Sequence, residues 1–312
     1  MKRTLIVAAI AAVSATGAFA QSSVNVYGRL NLSVERQDEA GKTTTRLFNS
    51  ASRLGFKGTE DLGGGLKVGF ILESGVSPDT GASGSPFWGR QSELNVGGGF
   101  GMIRLGNYIS EAYFATADYI SMHNHDTGSS EDKLYAYVGR NANKVAYRTP
   151  ALGGLTLEVA TSLKETNAST PKNTTDFAAN YAAGPLQLGF GYEKNDQANQ
   201  YAVRGLYEMG PVILGAYYQR DKNGYGANFG NRNTYRLSAA FMASASEFHV
   251  NVGRAGDYSK VASSDASQYT LAYNYNLSKR TKVYAFYTKV DDDKKIYTGD
   301  FSSFALGMRH NF

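Results

Sequence analysis

The stretch Phe304-Ala305-Leu306-Gly307-Met308-Arg309-His310-Asn311-Phe312 alternates without interruption. Phe304, Leu306, Met308, His310 and Phe312 make one almost wholly apolar face that ends in an aromatic residue, whereas Ala305, Gly307, Arg309 and Asn311 are small or polar. Successive strand residues point to opposite faces, so one side of this segment suits lipid and the other suits water. The pattern reads as the closing strand of an outer-membrane barrel, with Phe312 as its assembly signal.

The opposite end of the chain agrees. Lys2 and Arg3 precede an apolar run from Leu5 to Val13, and Ala18-Phe19-Ala20 stands before Gln21. This is the pattern of a secretory signal peptide. The run is too short for a membrane helix, which needs about 20 apolar residues. Residues 1–20 are therefore read as a signal peptide cleaved after Ala20, and residues 21–312 as one barrel domain.

Composition narrows the class. There is no cysteine, so neither a disulfide framework nor thiolate chemistry is available to an exported chain. Glycine (35) and tyrosine (22) are abundant and proline (6) is scarce, mean hydropathy is −0.36, and no second apolar run is long enough for a helical span. A closed sheet is the other structure that satisfies every backbone N–H and C=O group in lipid. Its signature is alternation in segments of about 10 residues, and the mature chain carries it throughout. Val24, Val26, Leu30, Leu32 and Val34 oppose Asn25, Arg29, Asn31, Ser33 and Glu35. Leu66, Val68, Phe70 and Leu72 oppose Lys67 and Glu73; Leu186, Leu188, Phe190 and Tyr192 oppose Gln187 and Glu193; Tyr269, Leu271, Tyr273 and Tyr275 oppose Thr270, Asn274 and Asn276.

Short connections rich in Gly, Pro or Ser fall at 61–65, 97–101, 150–154, 184–185, 210–211, 243–246 and 276–280. Longer polar stretches fall between them, near 36–45, 77–87, 109–142, 163–173, 195–199, 221–232, 255–266 and 290–300. Seven short turns and eight long loops join sixteen strands. The fold class is therefore all-β, a 16-stranded antiparallel transmembrane β-barrel. A barrel of this size leaves an aqueous channel, which something must narrow. The connection 109–142 far exceeds the usual length of about 4 to 6 residues, so the long third loop is predicted to fold into the lumen.

That loop is acidic, with Glu111, Asp118, Asp126, Glu131 and Asp132. Basic residues of lumen parity on the strands, Arg29, Arg53, Lys57, Arg104 and Arg148, should face it across the constriction. Glu73 is also inward and either orients the arginines or faces the opening. Such a transverse field orients dipolar solutes and disfavours apolar ones. Removing Lys2 and Arg3 leaves 30 basic against 27 acidic residues, a net charge of +3, which is mostly screened over a Debye length of about 8 Å. A charge about 4 Å from a permeating ion is worth roughly 4 kcal/mol at an effective dielectric near 20, before desolvation. Selectivity should follow the local ladder and loop, with mild anion preference.

Several blocks together carry a family resemblance: Val26-Tyr27-Gly28-Arg29; Ser52-Arg53-Leu54-Gly55-Phe56-Lys57-Gly58 with Glu60-Asp61-Leu62-Gly63; Leu66-Lys67-Val68 through Leu72-Glu73; Phe100-Gly101 through Leu105-Gly106; and Phe312. The mature chain resembles the trimeric general diffusion porins of Gram-negative outer membranes, in particular the beta-proteobacterial branch. The resemblance implies a homotrimer, passive diffusion of small ions and hydrophilic solutes, and a basic cluster opposite the third loop's carboxylates. Its partners are then outer-membrane lipid, lipopolysaccharide and the barrel assembly machinery, with no nucleic acid. Arg53 and Arg140 match the family's constriction arginines. Arg90 looks like another, but shares parity with Leu94 and Val96, so its inward projection requires a bulge or strand end. Asn107 stands where the family often has arginine. The constriction is predicted to hold Arg29, Arg53, Arg90, Arg140 and Arg148 on its basic side and Glu73, Glu111 and Asp118 on its acidic side.

Each site has a plainer rival. The arginines of lumen parity pair with wall carboxylates away from the opening, or Glu111 and Asp118 merely anchor the loop. His123-Asn124-His125-Asp126 invites a metal reading, but adjacent-but-one histidines on an extended chain diverge, and a polar surface loop explains them better; no metal and no cofactor are expected. No nucleophile stands with a histidine base at a suggestive spacing, so no catalytic residues and no enzyme are expected. A channel specific for a sugar or organic anion is the alternative; it would want an aromatic path in the lumen, where Tyr27, Tyr217 and Tyr284 have the right parity. Tyr201, Tyr207, Tyr217, Tyr218 and Tyr287 suit the aromatic girdles.

Overall fold

The computed structural model describes residues 23–312 except 119–122, 124–126, 168–171, 293, 295 and 298. The signal peptide with its cleavage site, and His125 and Asp126 of the histidine motif, lie outside the described residues.

Alternation of apolar and polar residues produces a sheet that closes on itself. The strands are β1 (Ser23–Glu39), β2 in two segments (Lys42–Asn49 and Arg53–Gly63), β3 (Leu66–Ser77), β4 (Gln91–Gly98), β5 (Gly101–Asn107), β6 (Lys144–Arg148), β7 (Leu155–Ser162) and β8 (Thr174–Ala183). They continue as β9 (Leu186–Asn195), β10 (Ala198–Met209), β11 (Val212–Lys222), β12 (Asn231–Ala243), β13 (Ser246–Ala255), β14 (Ala266–Asn276), β15 (Thr281–Asp291) and β16 (Phe301–Asn311). A two-residue extension, Ala82–Ser83, pairs with the end of β3. Each strand pairs antiparallel with the next, and β1 pairs with both β2 and β16, closing a 16-stranded barrel. At the seam Gly28 N donates to Phe312 O at 3.0 Å and Phe312 N donates to Gly28 O at 3.1 Å.

The two faces separate as the sequence requires. On β16, Leu306 is 58% exposed and Ala305 is fully buried. On β1, Asn31, Ser33, Glu35 and Gln37 are buried on the inner face while Val24, Val26, Leu30 and Val34 are exposed on the outer. No helix of the described residues is long and apolar enough to cross a membrane.

Turns follow local chemistry. Gly210 takes φ +59° ahead of Pro211 in a two-residue turn between β10 and β11, a backbone region glycine enters without steric cost. Two expected long loops are absent. Residues 36–45 form the ends of β1 and β2 around Ala40 (φ +51°) and Gly41 (φ +82°), the two positive-φ positions of a primed hairpin turn. Residues 195–199 likewise contract to Asp196-Gln197. Strands that rise beyond the lipid are polar on both faces, and polarity alone there mimics a loop.

Sequence reading also missed the break in β2. Between its segments, Ser50 N donates to Asn31 O at 3.0 Å and the Ser52 hydroxyl accepts from Asn31 N at 2.9 Å, so the pairing with β1 passes through a side chain. The Ser50 hydroxyl, freed by the kink, donates to Gly128 O at 3.3 Å in the long loop.

Candidate functional site

The described residues of the connection from β5 to β6, residues 108–118, 123 and 127–143, include many that bond to inward-facing wall residues. Ser110 starts it as an N-cap, its Oγ accepting from Ala112 N at 3.0 Å. There follows one short helical turn, α1 (Glu111–Tyr113), which widens into a π turn over Phe114–Asp118. This piece packs on β8, β9 and β10. The wall there is cut back: a Cβ on Gly189 would stand 1.8 Å from Ala115 O, and one on Gly191 2.5 Å from Ala112 O.

The next described residue, His123, lies against β13 to β15. The His123 ring is fully buried, 5.4 Å from the His249 ring and 5.6 Å from that of Phe286, with Nε2 3.0 Å from Asn274 Oδ1. Burial, reinforced by His249, lowers its pKa well below the usual histidine value. It is therefore a buried anchor rather than part of a polar surface loop. Ser129 next donates to Glu35 twice, from N at 3.1 Å and Oγ at 2.6 Å. On the return, Asp132 receives Arg236 Nη2 at 2.7 Å and Tyr217 OH at 2.6 Å, Leu134 O receives Arg232 Nη2 at 3.0 Å, and the Ala136 backbone exchanges two bonds with the Gln219 amide. Tyr217, assigned to an aromatic girdle by sequence, is thus buried beneath the loop, as its inward parity demands.

Carboxylates expected to face the opening are largely neutralised. Glu111 accepts from Arg148 Nη2 and, at 3.2 Å, from Asn180 Nδ2. Burial raises the Glu111 pKa, and the Arg148 charge works against that shift. Arg148 also donates from Nε to Glu158 at 2.8 Å. Residues assigned to opposite sides of the constriction are therefore bonded to each other, because the loop descends against the very wall that carries Arg148. Beside them Arg104 is held between Glu93, at 3.0 and 2.8 Å, and Glu158, at 3.1 and 3.0 Å. Glu131 is paired with Lys133 within the loop. Asp118 is half-buried at the end of the π turn.

The basic side forms on β1 to β4. Arg90 immediately precedes β4, so the strand end that its inward projection required is present, and its Nε donates to Glu73 Oε1 at 2.7 Å. Arg53 Nη1 lies 3.7 Å from the same oxygen, and Tyr27 OH donates to Glu73 Oε2 at 3.0 Å. Glu73 thus sits inside the arginine cluster and orients it, rather than standing on an acidic side. Arg29, the cross-strand partner of Arg53, donates from Nε to Asn311 Oδ1 at 3.0 Å. Arg140 is not brought to this cluster. Its Nη2 donates to Leu163 O just past the outer end of β7, and its own carbonyl accepts from Ser162 Oγ at 2.7 Å. Loop residues close to a strand end are held at the rim by backbone bonds whatever their charge.

Arg53 and Arg90 therefore meet at one Glu73 oxygen, and their side chains keep 17% and 30% exposure. Arg232 and Arg236, absent from the expected set, have 0% exposed side chains and hold the loop. The inward parity of Arg236, between Tyr235 and Leu237, was the signal that could have found it, and Arg232 lies four residues earlier on the same parity. Among the described residues no group of three or more His, Cys, Asp or Glu converges as a metal site. The geometry offers a closed barrel whose inner wall carries a cationic cluster, with the loop bolted to that wall.

A family profile described as Gram-negative porin matches residues 7–295. The chain is 30% identical over 366 residues, covering all of both chains, to outer membrane porin protein 32 of Delftia acidovorans. It is 25% identical over 353 residues, again covering both, to major outer membrane protein P.IB of Neisseria meningitidis serogroup B. Among solved structures, an anion-selective porin from Comamonas acidovorans superposes with a TM-score of 0.75 at 25% identity, over 94% of this chain and 100% of that one. Salmonella typhi OmpF, at 16% identity and a TM-score of 0.72 over 93% of this chain and 97% of that one, shares the fold.

Proposed function

Because this chain belongs to the Gram-negative porin family, we propose that its barrel works as a homotrimeric general diffusion channel with a mild preference for anions, governed by Arg53 and Arg90. The protein is an outer-membrane porin. On this reading the leader, residues 1–20, is removed after Ala20, Phe312 serves as signal to the barrel assembly machinery, and lipopolysaccharide surrounds the outer rim.

One observation carries the anion preference: the loop carboxylates Glu111, Asp132 and Glu131 each have a cationic partner, Arg148, Arg236 and Lys133, and Arg53 and Arg90 stand together on the wall with side chains 17% and 30% exposed. A passing anion meets cationic side chains where they still touch water. The solved relative from Comamonas acidovorans is described as anion-selective, in keeping with this. Inward tyrosines give little support to a sugar-stacking path. The hydroxyls of Tyr217, Tyr284 and Tyr27 are bonded to Asp132 (2.6 Å), Asn31 (2.8 Å) and Glu73 (3.0 Å), and the first two rings are buried. The chain is read as a passive channel that catalyses no reaction.

The test is reconstitution of refolded protein into a planar bilayer with a potassium chloride gradient. Conductance steps in groups of three, an anion-directed reversal potential and no block by uncharged sugars are the expected results. Absence of conductance, or block by a single sugar, contradicts the reading.

A further inference from the structure

Long loops mark the extracellular end of such a barrel, and three of its connections there converge on one side chain. They are residues 223–230 between β11 and β12, 256–265 between β13 and β14, and the described part of 292–300 between β15 and β16. Each sends in one tyrosine, and the ring centroids of Tyr225, Tyr258 and Tyr297 all stand 4.8 Å from the guanidinium carbon of Arg232. Arg232 Nε donates to Asp221 Oδ1 at 2.8 Å, and the other oxygen of that carboxylate accepts from Tyr258 OH at 2.7 Å. A desolvated cation is held more tightly by aromatic faces than an exposed one, and the Arg232 side chain has 0% exposure.

The same cluster grips the inward loop. Arg232 Nη2 donates to Leu134 O at 3.0 Å, while Tyr225 OH lies 2.7 Å from Lys133 O and 3.0 Å from Tyr135 O. Three consecutive carbonyls of the returning arm are thus held by two neighbouring side chains, and because backbone is gripped, the arm's position is fixed whatever side chains it carries. Tyr297 packs against the apolar cluster of Leu134, Ala255 and Ala266. The outer connections are also tied to one another. Ser259 N donates to Asn231 O at 2.9 Å and Lys260 N to Phe229 O at 3.1 Å, and the Phe229 and Tyr258 rings lie 5.3 Å apart, those of Tyr225 and Tyr297 4.6 Å. The arm's other bolts, Arg236 to Asp132 and Gln219 to Ala136, rise from barrel strands alone. Arg232 differs, since segments beyond the strands supply its surroundings.

We propose that Arg232 is a positioning residue through which the three outer connections set where the inward loop rests, so that a change at the extracellular mouth reaches the passage. Its effect on conduction rests on the channel reading above; the coupling itself rests on the packing alone. A shift of any one connection moves a ring or the Asp221 partner of Arg232, and the arginine carries that shift to the Leu134 carbonyl. Two sites are linked in this way only if a common element responds to both, and here that element is a single side chain.

The experiment is a double-substitution cycle on the refolded full barrel. Tyr258→Leu removes a ring of the outer mouth, and Arg232→Met removes the cation; Arg232→Lys, which keeps the charge but loses the planar fork, stands in if the methionine variant does not fold. Two readouts are taken on each single variant and on the combination. One is the fraction of time spent in partial-conductance states in a planar bilayer. The other is the distance distribution between spin labels at Glu131→Cys on the inward loop and Lys279→Cys in a short turn, the sole thiols in a chain without cysteine. Expected are about fivefold more time in partial states in each single variant, a broader label distance, and no further change in the combination, because both substitutions act through one side chain. Additive effects, as two independent losses of packing would give, overturn the proposal, and so does wild-type behaviour of both single variants. A wild type without conductance steps contradicts the channel reading instead. The label distances then decide the coupling by themselves, and equal widths in wild type, Tyr258→Leu and the Arg232 variant overturn it.

Discussion

Replacing Gly189 with alanine adds one methyl group to the inner wall where the loop is seated. The added Cβ would lie 1.8 Å from Ala115 O, against the 3.4 Å at which ordinary contact begins, so wall and loop must separate by about 1.6 Å. The obstacle is backbone on both sides, and no side-chain rotation relieves it. β9 is paired along its length to β8 and β10, so the π turn is the part that yields, toward the barrel axis. A shift of that size takes the 3.2 Å bond between Asn180 and Glu111 out of hydrogen-bond range. Overpacking of this sort costs about 1 to 3 kcal/mol, enough to populate unseated loops without unfolding the barrel. Single-channel recording of Gly189→Ala should show a smaller and broader conductance. Gly205→Ala, with its Cβ 3.8 Å from Leu188 and pointing outward, should match wild type. A wild-type conductance histogram from Gly189→Ala would refute the claim that this glycine seats the loop.

Arg104→Met removes the cation held between Glu93 and Glu158, whose side chains are 3% and 2% exposed; Glu158 keeps Arg148 at 2.8 Å, but Glu93 loses its arginine, and breaking this buried pair should lower barrel stability by about 3 to 5 kcal/mol, read as a shift in the urea midpoint, and an unchanged midpoint would refute it. The pH response follows from His123, whose pKa is held well below the usual 6.5 by burial. A group with a depressed folded-state pKa contributes its stability above its unfolded pKa and loses it as pH falls toward the folded value, so loop anchoring weakens below about pH 6.5. His249, Glu247 and Lys282 face the same site; closure events should rise between pH 7 and 5 in wild type and stay flat in His123→Gln, and equal pH dependence in the two would remove His123 as the cause.

The fold was legible because lipid imposes a binary choice at every other residue. Phe304, Leu306 and Met308 cannot face water in a row, and the strand register follows from them. Strand ends were less legible: Thr43, Thr44 and Thr45 extend β2 above the membrane, where both faces are wet and parity carries no signal. The site was only half legible. Parity placed Arg53 and Glu73 inward, and the Arg90 exception was resolved by a strand end. Which inward charges pair depends on where the loop comes to rest, and nothing local records that the loop would bring Glu111 to Arg148, bind Asp132 to Arg236, or leave Arg140 bonded to Leu163 at the rim. The glycines that set its course, Gly189 and Gly191, read as ordinary strand residues until a second segment lies across them.

The central claim is that the wall cluster, not the loop rim, sets the preference for anions. It is tested by the reversal potential, in a potassium chloride gradient, of Arg53→Gln/Arg90→Gln beside Arg140→Gln. At the solvent-contacting distances of Arg53 and Arg90, each charge is worth about 1 kcal/mol to an ion about 4 Å away in water-like surroundings. The anion-to-cation permeability ratio should therefore fall by at least about fivefold in the double variant, with a far smaller change in Arg140→Gln. An unchanged ratio in the double variant, or an equal loss from Arg140→Gln, would contradict the account.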